Sequence, residues 1–346
     1  MTPAEEPGFA MLAFQSGRNM QPECTGLANL ELKAPITPLS NFRMASVSKQ
    51  FTAMSVLMLS ERKELQLEDP LKRFFSPFAA NYRDITIRQL LTHTSGIRDY
   101  EALIPPARRT QLLDEDVLEL VNAHKGLYFK PGQQFRYSNT GYCLLALLAE
   151  KVSGKSFPAL MKSLIFDPLA MSTSLVYEPG CTIPQRALGY VPAGDSSEGG
   201  FILNDQSLTS ATKGDGGVYT SLVDYLKWHE ALFTEKLVSA GLLNAAFSSQ
   251  APVNNSVGYG YGWFSGREKD GSQALFHSGE TSGFLNIVYR NPSKKLLIAI
   301  FSNRNDGSIS QKFEATARRL NLAVRLEGFT AENRPPLFNW LSEQYN

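Results

Sequence analysis

The spacing of hydrophobic residues changes along the chain, and the N-terminal part predicts strands followed by a buried helix. "GFAMLAFQSGRN" (8–19) predicts a strand that enters a turn, and "TGLANLELKAPITPLS" (25–40) predicts a second strand with its exit loop. The segment 46–63, "SVSKQFTAMSVLMLSERK", consists mostly of good helix formers. It is apolar enough that we expect this helix to lie in the core.

The pattern then becomes helical and later returns to strands. Between residues 84 and 168, apolar residues recur at helical spacing in "ITIRQLLTHTSG", "DEDVLELVNAH", "TGYCLLALLAEKVSG" and "FPALMKSLIFDPL". After about residue 255, alternating and β-branched segments predict strands, with "NPSKK" (291–295) as a hairpin turn. A last helix is predicted from the apolar positions Phe313, Ala317, Leu320 and Val324.

Strands at both ends with helices between them predict an α/β (α+β) fold, in which both termini contribute to one sheet and a mainly helical lobe is inserted. We expect an α/β lobe at about 8–60 and 215–326, a helical lobe at about 61–214, and a C-terminal tail at 327–346. Functional sites often lie in the crevice between such units. We therefore expect the active site at the seam between the two lobes.

Composition narrows the function class. The chain has 346 residues, 43% of them hydrophobic, which suffices for one large domain or two packed lobes. Lys and Arg number 34 against 33 Asp and Glu, without a basic stripe, which argues against a nucleic-acid partner. The four histidines are scattered without metal-ligand spacing, so no metal is expected. Three cysteines do not form a disulfide framework, and we expect Cys143 to be a buried free thiol.

The N-terminal sequence "MTPAEEPGFAML" has neither a basic region nor an apolar core of a signal peptide. Two locations therefore stay open: the cytoplasm, or the periplasm or exterior if a signal peptide was removed. No run of 18 or more apolar residues occurs, so we expect no transmembrane segment.

The motif S-x-x-K occurs twice, and its context differs. Ser60 and Lys63 lie in a charged helix exit, which indicates solvated surface. Ser46 and Lys49 follow the extended "SNFRMA" and begin the apolar helix, where unpaired amides and the helix dipole favour negative charge. Residues three apart share a helix face, and burial of the lysine favours a neutral amine that can accept a proton. The structural alternative is a helix cap with a snorkelling lysine.

Two further tripeptides carry polar groups suited to catalysis. Tyr137-Ser138-Asn139 precedes a predicted helix, and His277-Ser278-Gly279 ends a predicted strand. Each pattern has a second occurrence, in Tyr289-Arg290-Asn291 and Lys130-Pro131-Gly132. A single tripeptide is therefore weak evidence, and the order of the motifs along the chain carries the signal.

Taken together, these motifs resemble the serine β-lactamase and penicillin-binding protein-like family. The likeness is greatest to the branch that contains class C β-lactamases, D,D-carboxypeptidases, D-aminopeptidases and β-lactamase-fold esterases. It covers roughly residues 8–305, through "FRMASVSKQFTA", "ITIRQLLTHTSGI", "PGQQFRYSNTGY", "IFDPLAMSTS", "GDGGVYTSLVDYLKW", "GYGYGWF" and "HSGETSGF". The resemblance implies a single catalytic domain over 1–346 with a central antiparallel sheet flanked by helices.

The resemblance also implies roles for individual residues. Ser46 would be acylated, Lys49 would activate it, Tyr137 would pass a proton to the leaving group, and Asn139 would hold the substrate's acyl-side amide. The other wall of the site, with an oxyanion hole from the Ser46 and Glu280 amides, would come from His277, Ser278, Gly279 and Glu280. Neither a metal nor an organic cofactor is needed. Free Lys and Tyr both have a pKa near 10, so the residue that accepts the serine proton stays open.

The third motif departs from the family pattern in a way that affects the substrate. HSG stands where class C β-lactamases have KTG, and Glu280 stands where Thr or Ser often holds a carboxylate. A carboxylate near 4 Å would be repelled by about 1–4 kcal/mol, and the only basic candidate near "GYGYGWFS" is Arg267. We therefore expect the substrate to be an ester, an amide or a D-amino-acid peptide that lacks a carboxylate there, or that places an amine near Glu280. The expected partner is thus a small molecule or a peptide.

Other interpretations stay open at this point. The chain is alternatively a D,D-carboxypeptidase or a β-lactamase, with β-lactams as acylating ligands, or a catalytically silent binding or scaffold protein of the same fold. Three residues near the motifs have structural explanations. We expect His93 to be a helix-end turn residue and Asp215 to mark a close backbone approach, while Trp263 either walls the pocket or packs in the core.

Overall fold

The computed structural model describes residues 5–15, 21–75, 80–194, 200–268 and 270–320. Its α-helices are α1 (Lys49–Glu61), α2 (Ile87–Leu91), α3 (Asp114–His124), α4 (Asn139–Ser153), α5 (Phe157–Met161), α6 (Leu222–Ala231), α7 (Ala240–Phe247) and α8 (Ser308–Arg319). Short 3-10 helices add Ala45–Ser48, Leu71–Arg73, Ala80–Tyr82 and Tyr100–Leu103, and α5 continues as a π-helix over Lys162–Phe166.

The strands are β1 (Phe9–Gln15), β2 (Glu23–Thr25), β3 (Leu27–Asn29), β4 (Ala34–Pro35), β5 (Phe42–Arg43), β6 (Leu175–Val176), β7 (Tyr190–Pro192), β8 (Phe201–Leu203), β9 (Val218–Thr220), β10 (Ala251–Pro252), β11 (Gly258–Tyr259), β12 (Phe264–Arg267), β13 (Gln273–Thr281), β14 (Phe284–Asn291) and β15 (Leu296–Ser302).

One eight-stranded antiparallel sheet joins the two ends of the chain, as predicted. Its order is β10-β11-β12-β13-β14-β15-β1-β2. The N-terminal β1 pairs along its whole length with the late strand β15, from Phe9 opposite Ser302 to Gln15 opposite Leu296. The turn "NPSKK" joins β14 to β15, as the sequence indicates. The fold is therefore the mixed α/β architecture that the sequence predicts.

The sheet is covered on both faces, because alternate residues of a strand point in opposite directions. On β15, Leu297 and Ala299 belong to the large core that includes α1, α4 and α6, whereas Ile298 and Ile300 pack with Phe313 of α8. Strand β15 is consequently buried at every position. A strand buried on both faces reads as a continuous apolar run, which is the pattern of "LLIAIF".

Helix α1 is central to the larger core. All its residues from Lys49 to Leu59 are buried, and α4 packs directly against it. Helix α4 also contacts α2, α3 and α5, which all lie between β5 and β6 in the sequence. No helix among the described residues is long and apolar enough to cross a membrane.

Two sequence predictions need correction. The segment 25–40, predicted to be one strand with its exit loop, instead contains the end of β2 and the strands β3 and β4, because Gly26 and Lys33 adopt positive φ values of 80° and 50° that interrupt extended backbone. The helix predicted over 46–63 is a 3-10 turn followed by α1, which ends at Glu61. The C-terminal helix is described as far as Leu320, so Val324 and the predicted tail lie outside the described residues, and the lobe boundaries stay predictions.

Asn303 directly follows β15 and connects the end of this strand to neighbouring segments of the chain. Its Oδ1 accepts a hydrogen bond from the Gly8 amide at 2.8 Å, and its Nδ2 donates to the carbonyls of Leu27 at 3.0 Å and Leu188 at 2.9 Å. Replacing Asn303 with Ala leaves these buried backbone groups unpaired. We expect Asn303→Ala to lower the free energy of unfolding by about 2–4 kcal/mol in urea denaturation.

The control for that measurement is Asn244→Ala, on the exposed face of α7. Surface changes of this kind usually alter the free energy of unfolding by about 0.5 kcal/mol or less. Equal stability of the Asn303 and Asn244 variants would contradict the assigned role of Asn303.

Candidate active site

Ser46 lies on the 3-10 turn that leads into α1, and its surroundings hold its hydroxyl at the protein surface. The side chain is half-buried, whereas the flanking residues Ala45 and Val47 are buried. Ala45 has φ +49°, in the left-handed region that residues with a side chain rarely adopt. Such backbone strain next to a reactive group is a feature of functional sites.

Lys49 is fully buried one helical turn after Ser46, and its ammonium group is surrounded by oxygen atoms. Nζ donates to Ser46 Oγ at 3.1 Å, to Asn139 Oδ1 at 2.8 Å and to the main-chain oxygen of Asp215 at 2.9 Å. Burial lowers the pKa of Lys49 below its ordinary value, and the negative charge of Asp215 opposes this shift. The snorkelling lysine considered as an alternative is therefore wrong.

Tyr137 lies beside this pair, although it is ninety residues away in sequence. Lys49 Nζ is 4.8 Å from the centre of its ring. The ring packs against that of His93 in a tilted arrangement, with centroids 4.2 Å apart. Burial raises the pKa of Tyr137 well above its usual range, and a hydrogen bond with Ser46 opposes that rise. The phenol is consequently a neutral group within hydrogen-bonding reach of the serine hydroxyl.

Asn139, the first residue of α4, connects the lysine to an acidic segment. Its Oδ1 accepts from Lys49, while its Nδ2 donates to Glu101 Oε1 at 3.1 Å and its amide donates to Asp99 Oδ2 at 2.7 Å. Desolvation, together with the charges of Asp99 and Asp215, raises the pKa of Glu101 to about 7. Both ends of the Asn139 side chain are therefore held by ionisable groups.

Strand β13 approaches the serine closely because residue 279 is a glycine. A Cβ on Gly279 would lie 2.2 Å from the Met44 carbonyl oxygen and 3.2 Å from the Ser46 amide nitrogen, so no other residue fits without movement. The contact brings the end of β13 alongside the Ser46 amide. Glu280 follows on the strand and is exposed.

His277, by contrast, is fully buried within a group of aromatic rings. Its Nδ1 donates to the Ser278 carbonyl at 2.7 Å, which leaves Nε2 to accept from the Tyr259 hydroxyl at 3.3 Å. Burial, followed by the charge of Lys49, lowers the pKa of His277 to about 3. The imidazole is therefore neutral and does not offer a cation to a substrate carboxylate.

A pocket opens onto Ser46 between these elements. The pocket is lined by Arg43, Ala45, Ser46, Tyr100, Glu101, Asn139, Thr209, Thr212, Asp215, Gly216, Glu280 and Thr281. Neither His277 nor Ser278, which we predicted to be substrate-binding, is part of this lining. The lining has three carboxyl groups, those of Glu101, Asp215 and Glu280, against the one guanidinium group of Arg43.

Sequence reasoning missed several residues of this pocket. Arg43 is buried three residues before Ser46 and donates to the Ser210 carbonyl at 2.6 Å. Asp99 and Glu101 contact Asn139, and Tyr100 donates to Asp215 Oδ2 at 3.2 Å. The only signal was the position of "FR" next to the serine motif and the acidic composition of "DYE".

Arg267, Trp263 and the second S-x-x-K motif are not part of this pocket lining. Arg267 donates to the Gly271 carbonyl at 2.9 Å and lines a different groove, so it is not near Ser46. Trp263 is buried against Phe247 and packs in the core. Of the second S-x-x-K motif, Lys63 is exposed. Among the described residues, no group of three or more His, Cys, Asp or Glu side chains has the arrangement of a metal site.

Comparison with known proteins now identifies the class to which this fold and site belong. The family model described as Beta-lactamase matches residues 1–323, and the chain belongs to that family. It is 30% identical over 312 residues to Penicillin-binding protein 4* of Bacillus subtilis strain 168, covering 86% of this chain and 68% of that protein. The chain spans 62–68% of the length of the curated relatives that it matches.

Solved structures give the same answer. The penicillin binding protein from Bacillus halodurans superposes with a TM-score of 0.80 and 26% identity, covering 91% of this chain and 95% of that one. The D-amino acid amidase from Ochrobactrum anthropi SV3 complexed with D-phenylalanine gives 0.73 and 25%, over 86% and 87% of the two chains. Membership in this family supports serine acyl-hydrolase activity in general.

The buried amine generates a prediction about stability. Because the pKa of Lys49 is lower in the folded protein than the ordinary value near 10.4, the unfolded chain binds more protons between these two values. The contribution of Lys49 to the free energy of unfolding therefore rises with pH up to about 10.4. We expect the free energy of unfolding of the wild type, minus that of Lys49→Met, to increase between pH 7 and 10, by up to about 1.4 kcal/mol per pH unit.

Urea denaturation at several pH values measures this difference. Lys236→Met, which alters an exposed lysine, is the control and has no reason to show the effect. A difference between wild type and Lys49→Met that stays constant or falls with pH would contradict the lowered pKa.

Proposed function

We propose that the protein is a serine acyl-hydrolase that forms a covalent acyl-enzyme on Ser46. The observation that carries the proposal is the fully buried Lys49 amine, 3.1 Å from Ser46 Oγ and bonded to two further oxygens. The Asp215 carbonyl and Asn139 Oδ1 accept two protons of the amine. A neutral Lys49 would thus direct its remaining lone pair at the serine hydroxyl.

In this mechanism Lys49 accepts the proton of Ser46 while Oγ attacks the acyl carbon of the substrate. Two pKa shifts support Lys49 rather than Tyr137 as the base. The lowered pKa of Lys49 favours a neutral amine, and the raised pKa of Tyr137 disfavours a phenolate. Tyr137 then gives its proton to the leaving group and recovers one from Lys49. Water hydrolyses the acyl-enzyme by the reverse proton transfers and regenerates Ser46.

The close approach of β13 supports an oxyanion hole at this site. With Gly279 against the turn, the amides of Ser46 and Glu280 are the proposed donors to the negative oxygen of the tetrahedral intermediate. Asn139 Nδ2 has a second proton besides the one given to Glu101, and we assign it to the acyl-side amide of the substrate. His277 supports the wall indirectly, from within the aromatic cluster.

The acidic pocket bears on the substrate. Glu280 is exposed on the pocket lining, and Glu101 and Asp215 line the same space. This charge supports an ester, amide or D-amino-acid peptide that has no carboxylate near Glu280. A substrate amine in this pocket would be attracted rather than repelled.

A second candidate is the binding or hydrolysis of penicillins and D-Ala-D-Ala peptides. It is favoured by the similarity to proteins named as penicillin-binding proteins. The buried Arg43 is a cation on the pocket lining and also favours it. A catalytically silent scaffold is the third candidate, and the desolvated Lys49 argues against it, because burying an amine has a cost that packing alone does not require.

Active-site labelling tests the proposed acyl-enzyme. We expect a fluorophosphonate or fluorescent penicillin probe to label the wild type at Ser46, because the fully buried Lys49 amine lies beside that hydroxyl. Ser46→Ala is expected to lose all labelling, measured by in-gel fluorescence and peptide mass spectrometry.

The repeated motif provides the matched control for this experiment. Ser60→Ala alters the other S-x-x-K sequence on the same helix and is expected to label at the wild-type rate. Inertness of the wild type to every acylating probe, or persistent labelling of Ser46→Ala, would eliminate the mechanism.

The role of Glu280 is tested by substrate preference. We expect Glu280→Gln to raise kcat/KM for a D-Ala-D-Ala peptide by about fivefold relative to kcat/KM for a short acyl ester. The substitution removes the repulsion between Glu280 and the peptide's carboxylate, and this repulsion is modest because solvent screens it. Glu230→Gln, which alters an exposed carboxylate on α6, is the control. A wild type that cleaves the peptide as fast as the ester would refute the proposed substrate class.

A further inference from the structure

His93 contacts the tyrosine segment on both sides of Tyr137. Its main-chain carbonyl accepts a hydrogen bond from the Arg136 amide at 2.9 Å, and its ring Nδ1 accepts from the Ser138 amide at 3.0 Å. Residues 136 and 138 are thus both bonded to one residue that is more than forty positions earlier in the chain. The backbone around Tyr137 is fixed before and after the phenol.

The imidazole ring of His93 also supports the phenol itself. It packs against the Tyr137 ring in a tilted arrangement, with an interplanar angle of 30° and centroids 4.2 Å apart. The rings of Tyr142 and Tyr259 close the other sides, with centroids at 5.1 and 4.6 Å. His93 is 1% exposed, so this packing leaves Tyr137 little room to rotate.

The choice of histidine at this position has two physical reasons. The backbone adopts φ +57°, a left-handed conformation in which His, Asn and Asp are enriched. The ring must present an unprotonated Nδ1 to accept from the Ser138 amide, which requires a neutral imidazole. Burial lowers the pKa of His93 well below its usual value and keeps the imidazole neutral.

We propose that His93 is a positioning residue for the hydrolase, which holds Tyr137 in line with Ser46 through its ring and its Nδ1 acceptor. His93 is not part of the pocket lining, and in this proposal it transfers no proton. The catalytic part of this inference depends on the proposed function, because Tyr137 must act in proton transfer for its position to affect the rate. The geometric part does not.

Two variants separate the contributions of the ring and of the acceptor. His93→Phe keeps an aromatic ring but leaves the buried Ser138 amide without an acceptor. His93→Asn retains an acceptor and tolerates the left-handed backbone, but loses the ring that packs against Tyr137. His124→Asn alters the exposed histidine at the end of α3 and is the control.

With a short acyl ester, we expect His93→Phe to lower kcat by about 10- to 100-fold while KM changes less than threefold, because misplacement of a reacting group affects the rate more than binding. His93→Asn is expected to recover most of the lost rate. A kcat of His93→Phe within threefold of the wild type overturns the proposal. The proposal is also overturned if His93→Phe and His93→Asn lose kcat to the same extent and lose thermal stability to the same extent, since this result indicates a merely structural role.

A readout independent of activity keeps the two proposals distinguishable. In the wild type at pH 7, nitrogen-15 NMR is expected to show an unprotonated Nδ1 on His93. A crystal structure of His93→Phe is expected to show the Tyr137 hydroxyl displaced from Ser46. An enzyme inert to all acyl donors refutes the proposed function alone. A protonated Nδ1, or a Tyr137 that stays in place in the variant, refutes the positioning role whatever the activity.

Discussion

The amine of Lys49 is the interaction on which the arrangement of the site depends. A lysine without solvent exposure is costly, and it persists only where several acceptors replace the lost water. Here the acceptors come from three separate parts of the chain: Ser46 from the turn before α1, Asn139 from α4, and the Asp215 carbonyl from the loop before β9. Satisfying one buried amine therefore fixes the mutual positions of three elements.

Glycines allow these elements to come close enough to reach the amine. A Cβ on Gly214 would lie 2.1 Å from the Tyr142 carbonyl oxygen, and one on Gly279 would lie 2.2 Å from that of Met44. The first contact seats the Asp215 loop on α4, and the second seats β13 on the serine turn. Side chains larger than hydrogen would separate these segments by an ångström or more, which would break hydrogen bonds of about 3 Å.

The sequence predicted the elements well and their contacts only in part. The continuous apolar run of β15 and the long apolar spacing of α1 and α4 are signals that burial alone determines. The grouping of Ser46, Lys49 and Tyr137 followed from the order of motifs in a known family. The contacts of His93 and Glu101 with the Tyr137–Asn139 segment depend on how loops fold back in three dimensions, and no periodicity records that. The burial of His277 was missed for the same reason, since a histidine that ends an alternating strand has no sequence signal for its direction.

Charge is distributed unevenly across the site. In the proposed mechanism, the groups that transfer protons are therefore different from the groups that select the substrate. The basic side chains of Lys49 and Arg43 are buried, whereas the carboxyl groups of Glu101 and Glu280 lie at the exposed rim. Buried charges act at short range in a weakly screened medium, while rim charges are screened by water and salt. In the proposed mechanism the interior thus governs proton transfer at Ser46, and the rim governs which acyl donors approach. Glu101 is linked to Lys49 through the Asn139 side chain, which bonds to both residues. In the proposed mechanism, a change at Glu280 would therefore act on substrate selection alone, whereas a change at Glu101 would also reach the amine.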